Sequence, residues 1–243
     1  MKLINGDCIE KMKDISKNSI DIVIADLPYG RFPFLAWDTP IDLGKMWKEL
    51  NRICKKTTPI CLFADMKFAV ELINSNPKHF KYEIVWNKKQ TTTPLLSKKR
   101  LGKATEYILL FYRKQCCYNY AKYHKIKKVK NETPHRILGG AKIGGRANYY
   151  EPQLPINVIE GINCCSIKGK RTIKHITEKP QQILEFLLKY FSNEGDTCLD
   201  FVMGSGSCGV ACKTLKRNFI GIEKLEDHFI KASERLRPHL NNH

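Results

Sequence analysis

The chain has 243 residues, with 42 lysines and arginines against 24 acidic residues, so its formal net charge is +18. This length allows one large domain, or one domain with an insertion, that needs no disulfides to hold its core. Such an excess of positive charge predicts a polyanionic partner, because counterions released from a phosphate backbone drive binding. The chain has no apolar run long enough to cross a bilayer and starts with a polar stretch unlike a secretory leader. We therefore expect an intracellular protein that does not use a membrane.

The first half of the chain alternates apolar runs with amphipathic segments. Strand character is found over residues 3–5, 20–25, 59–64, 82–86 and 105–112. Helical spacing of apolar side chains separates these runs over residues 8–14, 43–53 and 67–73. This alternation predicts a parallel sheet with helices on both faces.

The stretch Asp26-Leu27-Pro28-Tyr29-Gly30 follows the strand predicted over residues 20–25. Open α/β sheets bind their ligands at the carboxyl ends of strands, so this position predicts a functional site. Asp26 offers a carboxylate, Pro28 a carbonyl in a restricted backbone and Tyr29 an aromatic face. Together they suit a planar amine and the ring that carries it. Taken alone, the stretch is equally consistent with a strand that ends in a turn.

Basic residues accumulate in the middle of the chain. Residues 87–103 form a loop without acidic residues, and residues 114–174 mix basic side chains with tyrosines without sustained periodicity. One interpretation is a solvated insertion, but basic charge interleaved with aromatic rings favours nucleic-acid binding. We expect lysines to hold phosphates and arginines to read base edges. The candidates are Lys88, Lys98, Lys99, Arg100, Lys125, Lys127, Lys128, Arg136, Arg146 and Arg171.

The final third is regular again and contains a glycine-rich turn. A helix is predicted over residues 179–191, strands over 197–201 and 219–223, a helix after the turn up to about residue 217 and a last helix over 227–236. Gly204, Gly206 and Gly209 match G-x-G-x-x-G between a strand and a helix, and Glu223 ends the next strand, where an acid can accept ribose hydroxyls. We expect a branched side chain at Gly206 to block close approach of the ligand. This fingerprint also suits a nicotinamide oxidoreductase, which would leave the basic insertion unexplained.

Ten cysteines are present. Cys116-Cys117 and Cys164-Cys165 are adjacent pairs, which lack the C-x-x-C spacing of a zinc site. A metal bridging the two pairs is an alternative, but we expect no metal. The other six lie in apolar segments and are interpreted as reduced side chains that fill the core. They are Cys8, Cys54, Cys61, Cys198, Cys208 and Cys212.

Several segments together resemble the β class of DNA amino-methyltransferases, which methylate an exocyclic amine of adenine or cytosine. Asp26-Leu27-Pro28-Tyr29 resembles the catalytic motif (D/N/S)-P-P-(Y/F). Residues 200–207, which read DFVMGSGS, resemble the D-P-F-x-G-S-G-T segment that binds S-adenosylmethionine, and residues 175–180, HITEKP, are similar to H-P-T-Q-K-P. Asn5-Gly6-Asp7 and Trp37-Asp38 also fit the family. The tetrad comes first, the recognition region next and the cofactor segment last, which is the order of the β class.

The resemblance implies an α/β, Rossmann-like methyltransferase fold. Its mostly parallel seven-stranded sheet would have helices on both faces and be circularly permuted. Residues 1–113 would form the catalytic half, residues 114–174 an inserted target-recognition region and residues 175–243 the S-adenosylmethionine-binding half.

The resemblance also implies site residues. Asp26, Pro28 and Tyr29 would be catalytic, with the target amine donating to the Asp26 carboxylate and the Pro28 carbonyl. Asp7 would lie near the cofactor's adenine, Glu223 would hold its ribose, and Thr177 with Lys179 would meet its methionine carboxylate. The full cofactor set would be Asp7, Cys8, Asp26, Thr177, Lys179, Asp200, Phe201, Gly204, Ser205, Gly206, Ser207 and Glu223.

Aspartate at the first tetrad position is typical of adenine enzymes, whereas serine is typical of cytosine N4 enzymes. The predicted reaction is therefore methyl transfer from S-adenosylmethionine to N6 of a flipped-out adenine in double-stranded DNA. The alternatives are a cytosine N4 methyltransferase, an RNA or protein-amine methyltransferase, a nicotinamide oxidoreductase and a non-catalytic DNA-binding relative. A homodimer is expected by analogy, in a compartment with access to DNA.

Overall fold

The computed structural model of the protein describes residues 1–31, 34–35, 37–89, 91, 93, 95, 98–123, 127–130, 148–151, 155–160 and 178–237. The strands are β1 (Lys2–Asn5), β2 (Ile22–Ala25), β3 (Ile60–Ala64), β4 (Phe80–Asn87), β5 (Thr105–Phe111), β6 (Lys127–Lys130), β7 (Asn148–Glu151), β8 (Val158–Glu160), β9 (Thr197–Asp200) and β10 (Asn218–Glu223). The helices are α1 (Cys8–Met12), α2 (Leu43–Ile53), α3 (Met66–Ser75), α4 (Tyr120–Tyr123), α5 (Gln181–Phe191), α6 (Ser207–Thr214) and α7 (Glu226–Leu236). In the described part of the chain, no helix is long and apolar enough to cross a membrane.

Two compact units are present. The larger consists of Met1–Tyr118 and Asn157–His243, and the smaller of Asn119–Ile156. The smaller unit contains α4 and the antiparallel pair β6–β7. It falls inside the insertion predicted over residues 114–174, and the boundaries of the three predicted segments stay a prediction.

The larger unit is built on an eight-stranded sheet in the order β1-β10-β9-β2-β3-β5-β4-β8. Only β5 among these strands runs antiparallel to its neighbours, so the expectation of a mostly parallel α/β sheet is confirmed. The seven predicted strands are all present, and the eighth, β8, is a correction to the predicted count. β8 has three residues and pairs in parallel with the edge of β4, so it is too short to give a periodic signal.

The sheet is buried on both faces. Ile22 and Ile24 of β2 belong to one apolar cluster, whereas Val23 and Ala25 belong to the other, because successive side chains of a strand point to opposite faces. Helices α5, α6 and α7 contribute to the first cluster, and α1, α2 and α3 to the second. A strand covered on both sides reads as an unbroken apolar run, which is why β2 was visible in the sequence.

The strand order brings the two ends of the chain together. β9 pairs with β2, with Val23 opposite Leu199, and β10 pairs with β1, with Asn5 opposite Glu223. The carboxyl ends of β1, β10, β9 and β2 therefore lie side by side at one edge of the sheet. The six cysteines predicted to fill the core are all buried in this unit.

Candidate active site

A cavity of about 940 Å³ opens at the carboxyl ends of β1, β10, β9 and β2. Its volume is at the upper end of the ~300–1,000 Å³ usual for ligand pockets. The predicted site residues that line it are Asp7, Cys8, Asp26, Pro28, Tyr29, Lys88, Lys179, Asp200, Phe201, Gly204, Ser205, Ser207 and Glu223. Residues more than two hundred positions apart in sequence, such as Asp7 and Glu223, thus share one cavity.

The tetrad leaves the end of β2 and turns into the cavity wall. Leu27 points into the core, while the Tyr29 hydroxyl lies 3.3 Å from Asp26 Oδ1. The Tyr29 ring packs on Phe68, with 4.9 Å between ring centroids, and the Arg31 guanidinium lies 5.6 Å from the Tyr29 centroid. Burial raises the pKa of Tyr29 well above its usual value, with the negative charge of Asp26 adding to the shift. The phenol therefore stays protonated and can donate to Asp26.

A cluster of charged side chains lies behind Asp26. Lys179 Nζ is 2.5 Å from Asp26 Oδ2 and 3.1 Å from Glu106 Oε1, and Lys88 Nζ is 2.6 Å from Glu106 Oε2. The ammonium groups of Lys179 and Lys88 also lie over the rings of Phe63 and Trp86, respectively. Glu106, on β5, was missed by the sequence analysis because a lone acid in an apolar strand shows nothing of its partners.

The ionisation of this cluster follows from burial and from its neighbours. Burial raises the pKa of the Asp26 carboxyl, the Lys179 ammonium opposes that shift and the charge of Glu106 adds to it. Burial also disfavours the charged form of Glu106, but the ammonium groups of Lys179 and Lys88 outweigh it and hold its pKa below the usual value. Burial alone would lower the pKa of Lys179, whereas Asp26 and Glu106 raise it. Glu106 and Lys179 are therefore both charged at neutral pH.

Asp38 organises the turn that follows the tetrad. Its carboxylate accepts hydrogen bonds from the backbone N–H groups of Gly30 (2.9 Å) and Arg31 (2.7 Å), and the residue is only 3% exposed. Gly30 has φ +68° and faces the Pro40 ring, so the turn tolerates no side chain there. Trp37-Asp38 was noted for its fit to the family, but Asp38 was not predicted as a site residue.

Substitution of Asp38 by alanine is expected to leave two N–H groups of this turn without their acceptor. We expect the free energy of unfolding to fall by about 1–3 kcal/mol. The turnover of the methyl transfer predicted from the sequence should also fall, because the turn carries Tyr29. Chemical denaturation and steady-state kinetics measure the two effects. Asp38→Asn, which keeps one acceptor oxygen, serves as the milder variant. Wild-type turnover in Asp38→Ala would show that the turn holds its shape without the carboxylate.

The glycine-rich turn between β9 and α6 has two positions with positive φ, Gly204 at +49° and Gly206 at +75°. A Cβ at Gly204 would have no atom within 4 Å, so this glycine faces open space in the cavity wall. A Cβ at Gly206 would lie 3.1 Å from the side chain of Leu236 and 3.3 Å from that of Ala232. The sequence predicted that a side chain at Gly206 would meet the ligand. The structure corrects this expectation, because such a side chain would face helix α7.

Three carboxylates around the cavity lie at the ends of β9 and β10 and just after β1. Glu223 accepts the N–H of Gly204 at Oε2 (3.0 Å) and that of Leu225 at Oε1 (2.9 Å), which fixes the carboxylate while each oxygen keeps a further lone pair. Asp7 caps α1 by accepting from the N–H of Ile9 at 3.0 Å. Burial raises the pKa of Asp200 to about 8. The hydrogen bond from the Val202 N–H opposes this shift, and the negative charges of Asp26 and Glu223 add to it.

Glu178 and Arg235 join the glycine-rich turn to the segment before α5. Arg235 is 2.7 Å from Glu178 Oε1 and donates to the carbonyl of Ser205 at 3.3 Å. The other oxygen of Glu178 is buried and has no hydrogen-bond partner among the described residues. Since Glu178 lines the cavity, this oxygen offers an acceptor to a bound ligand.

One group of described residues has metal-ligand geometry. The sulfur atoms of Cys198, Cys208 and Cys212 lie within 4.8 Å of one another. Burial raises the pKa of the Cys198 and Cys212 thiols well above the usual value. Buried thiols of this kind pack as small apolar side chains, which is the role that the sequence predicted for them.

The predicted DNA-contacting residues are placed unevenly. Lys98, Lys99 and Arg100 are exposed on the loop before β5. Lys88 has a side chain only 14% exposed and is held by Glu106, so it lies in the site and not on a surface open to phosphates. Lys127 and Lys128 belong to β6. Thr177, Lys125, Arg136, Arg146 and Arg171 lie outside the described residues.

Comparison with known proteins gives a family match over most of the chain. The family model N6_N4_Mtase, described as DNA methylase, matches residues 20–234. The type II methyltransferase M.HinfI of Haemophilus influenzae is 26% identical over 97% of this chain and 68% of its own length. M.HpaI of Haemophilus parainfluenzae is 27% identical over 99% and 75%. The DNA adenine methyltransferase YhdJ of Escherichia coli (strain K12) is 27% identical over 96% and 81%.

Solved structures share the fold. M1.HpyAVI in complex with S-adenosylmethionine superposes with a TM-score of 0.62 at 24% identity, over 97% of this chain and 98% of the other. A putative DNA modification methylase from Thermus thermophilus, TTHA0409, also complexed with S-adenosylmethionine, gives 0.65 at 17% identity, over 100% and 97%. The cytosine-N4-specific PvuII DNA methyltransferase gives 0.67 at 15% identity, over 96% and 85%.

Proposed function

The chain belongs to the N6/N4 DNA methylase family, and on that premise we propose that it methylates N6 of adenine in duplex DNA. The observation that carries the proposal is the position of Asp26. Its carboxylate stands at the end of β2, in the wall of the same cavity that the glycine-rich turn lines. A carboxylate can accept an N–H from a target amine at this point, and aspartate at the first tetrad position is typical of the adenine enzymes that the motif resembles.

The cofactor of this family is S-adenosylmethionine, as the resemblance implied. The residues present fit it. Gly204 leaves open space at the cavity wall, Glu223 is held as an acceptor suited to ribose hydroxyls, and Glu178 presents a buried oxygen suited to an amino group. When bound, S-adenosylmethionine supplies a methyl group on a sulfonium, an electrophile good enough that the protein has to align a nucleophile more than activate it.

Asp26 and Pro28 would perform that alignment. An exocyclic amine is a weak nucleophile because its lone pair is delocalised into the ring. Hydrogen bonds from the amine to the Asp26 carboxylate and to the Pro28 carbonyl favour a pyramidal nitrogen that directs its lone pair into the cavity. The nitrogen must lose a proton once it is alkylated, and the Asp26 carboxylate is the base in contact with it.

The target base has to leave the duplex to reach Asp26, which costs a few kcal/mol of pairing and stacking. Stacking on the Tyr29 ring would return about 1–3 kcal/mol of this. Arg31 lies near that ring with its side chain 38% exposed, and its guanidinium pairs with the buried carboxylate of Asp65. We assign base placement to Tyr29 on these grounds.

The described candidates for holding the DNA backbone are the exposed residues Lys98, Lys99 and Arg100, together with Lys127 and Lys128 of β6. Each such contact would release about one counterion, so that binding would weaken steeply with salt. The candidates outside the described residues keep their expected roles as proposals, as does the homodimer.

Cytosine N4 is the second candidate target, favoured by the structural likeness to a cytosine-N4-specific enzyme. The test is incubation of unmethylated random-sequence duplex with S-adenosylmethionine, followed by digestion and mass spectrometry of the nucleosides. We expect N6-methyldeoxyadenosine, and single-molecule sequencing of the same sample should place it in one sequence context. N4-methyldeoxycytidine instead would overturn the adenine assignment and leave the family intact. Transfer to RNA alone would overturn DNA as the substrate.

A further inference from the structure

Lys179 lies at the centre of a charge-balanced cluster in which the reaction described above uses only Asp26. Its ammonium is shared between Asp26 Oδ2 (2.5 Å) and Glu106 Oε1 (3.1 Å), and Lys88 holds the other oxygen of Glu106 at 2.6 Å. The side chains of Lys179 and Glu106 are 14% and 10% exposed. Two carboxylates and two ammonium groups thus neutralise one another directly behind the tetrad.

This geometry differs from the role that the resemblance implied for Lys179, a contact to the methionine carboxylate of the cofactor. An ammonium has three N–H donors, and two of those of Lys179 are directed to carboxylates of the protein itself. Phe63 covers another side of the ammonium, with 5.0 Å between Nζ and the ring centroid. Most of the bonding capacity of Lys179 is therefore committed to Asp26 and Glu106.

We propose, on the basis of the proposed function, that Lys179 is a positioning residue that keeps Asp26 ionised and occupies its Oδ2, and that Glu106 fixes Lys179 in that place. Asp26 Oδ1, which the Tyr29 hydroxyl contacts at 3.3 Å, is then the oxygen presented to the target amine. Glu106 matters because it prevents the ammonium from swinging across both oxygens of Asp26.

The physical need for such a residue follows from the location of Asp26. Burial favours the neutral form of a carboxyl group. A neutral carboxyl carries a proton at the position where it has to accept the N–H of the target amine. Among the described residues, the groups facing Asp26 are Lys179 before α5, Glu106 on β5, Tyr29 on its own segment and Asp200 at the end of β9. Of these, only Lys179 carries a positive charge, since Lys88 reaches the cluster through Glu106.

The proposal predicts opposite effects for two substitutions in the same cluster. Lys179→Met removes the positive neighbour of Asp26, so the acidic limb of the pH profile of kcat/KM should move up by about 1–3 pH units. Glu106→Gln removes a negative neighbour and keeps an oxygen that can accept from Lys179, so the acidic limb should move down. Lys179→Arg keeps the positive charge, so the acidic limb of its pH profile should stay close to that of wild type.

A matched control is Lys189→Met. Lys189 lies on α5, the helix that follows Lys179, away from the cavity. Its ammonium is 3.7 Å from the carboxylate of Glu185. Its removal should leave the pH profile unchanged. Circular dichroism of every variant reports whether it folds. If Lys179→Met does not fold, the opposite shift in Glu106→Gln and the wild-type limb of Lys179→Arg still test the proposal.

Two further measurements separate this proposal from the alternatives. Titration calorimetry should give an S-adenosylmethionine affinity for Lys179→Met within about threefold of wild type, whereas a methionine-carboxylate contact would lose tenfold or more for a lost charge-assisted bond. Carbon-13 NMR of aspartate carboxyl groups, with Asp26 identified by its absence in Asp26→Asn, follows the protonation of Asp26 without any substrate. This titration should show the same upward shift in Lys179→Met.

The proposal is overturned if the Asp26 titration and the acidic limb of Lys179→Met stay at their wild-type positions, or if both variants shift in one direction. A tenfold loss of cofactor affinity with an unmoved limb would return Lys179 to the cofactor. Absence of methyl transfer to DNA by the wild-type protein would instead contradict the proposed function, and the NMR titration would still report on Asp26.

Discussion

Replacement of Asp26 by alanine should reduce methyl transfer by about 10²–10³-fold, the usual loss when a group that stabilises developing charge is removed. In the proposed function, this carboxylate accepts the N–H of the target amine and is the base nearest to its departing proton. Cofactor affinity should stay within about threefold of wild type, because the acceptors assigned to the cofactor, Glu223 and Glu178, are held by other contacts. Single-turnover methylation and titration calorimetry measure the two quantities.

Asp14→Ala provides the control for this substitution, since Asp14 is an exposed aspartate after α1. It should leave both turnover and cofactor affinity unchanged. Asp26→Asn should lie between wild type and Asp26→Ala, because the amide oxygen still accepts an N–H but cannot take a proton. Turnover near the wild-type level in Asp26→Ala would remove Asp26 from the catalytic role.

The second large effect is expected at Gly206 and concerns folding. Valine at Gly206 would have to adopt φ near +75° and to enter the packing against Leu236 and Ala232 of α7. The left-handed backbone costs about 1–2 kcal/mol for a residue with a Cβ, and overpacking adds about 1–3 kcal/mol. The free energy of unfolding should therefore fall by about 2–5 kcal/mol in the absence of any cofactor, measured by chemical denaturation.

Gly204→Ala is the matched variant for this experiment. Gly204 also has positive φ, +49°, but its Cβ would enter open space at the cavity wall. The free energy of unfolding of Gly204→Ala should fall only by the backbone cost of about 1–2 kcal/mol. Calorimetry should show weaker binding of S-adenosylmethionine to this variant. If Gly206→Val unfolds like wild type and fails only to bind the cofactor, the packing role of Gly206 is wrong and the collision expected from the sequence is right.

The sequence by itself determined the elements and the ends of the strands where chemistry is possible. Apolar runs such as residues 20–25 mark strands buried on both faces, and the turn residues after them mark where the backbone leaves the sheet. Asp26, Gly204 and Glu223 could be placed at such ends because these signals are local. The family resemblance added the order of the segments and the identity of the cofactor.

The tertiary structure decided which of these ends are neighbours. Asp26 and Lys179 are 153 residues apart and meet only because β9 pairs with β2 and α5 begins beside it. In the sequence, Glu106 was interpreted as an ordinary strand residue and Lys88 as a phosphate contact, whereas the fold turns Glu106 towards Lys179 and Lys88 towards Glu106.

At Gly206, too, the sequence predicts the local backbone but not what packs against it. Its positive φ could be expected from the turn, but the direction of its missing Cβ depends on where α7 packs. Local patterns record the propensity of a residue and its burial. The partner of a buried charge is set by strand order and helix packing, which depend on contacts between residues far apart in the chain.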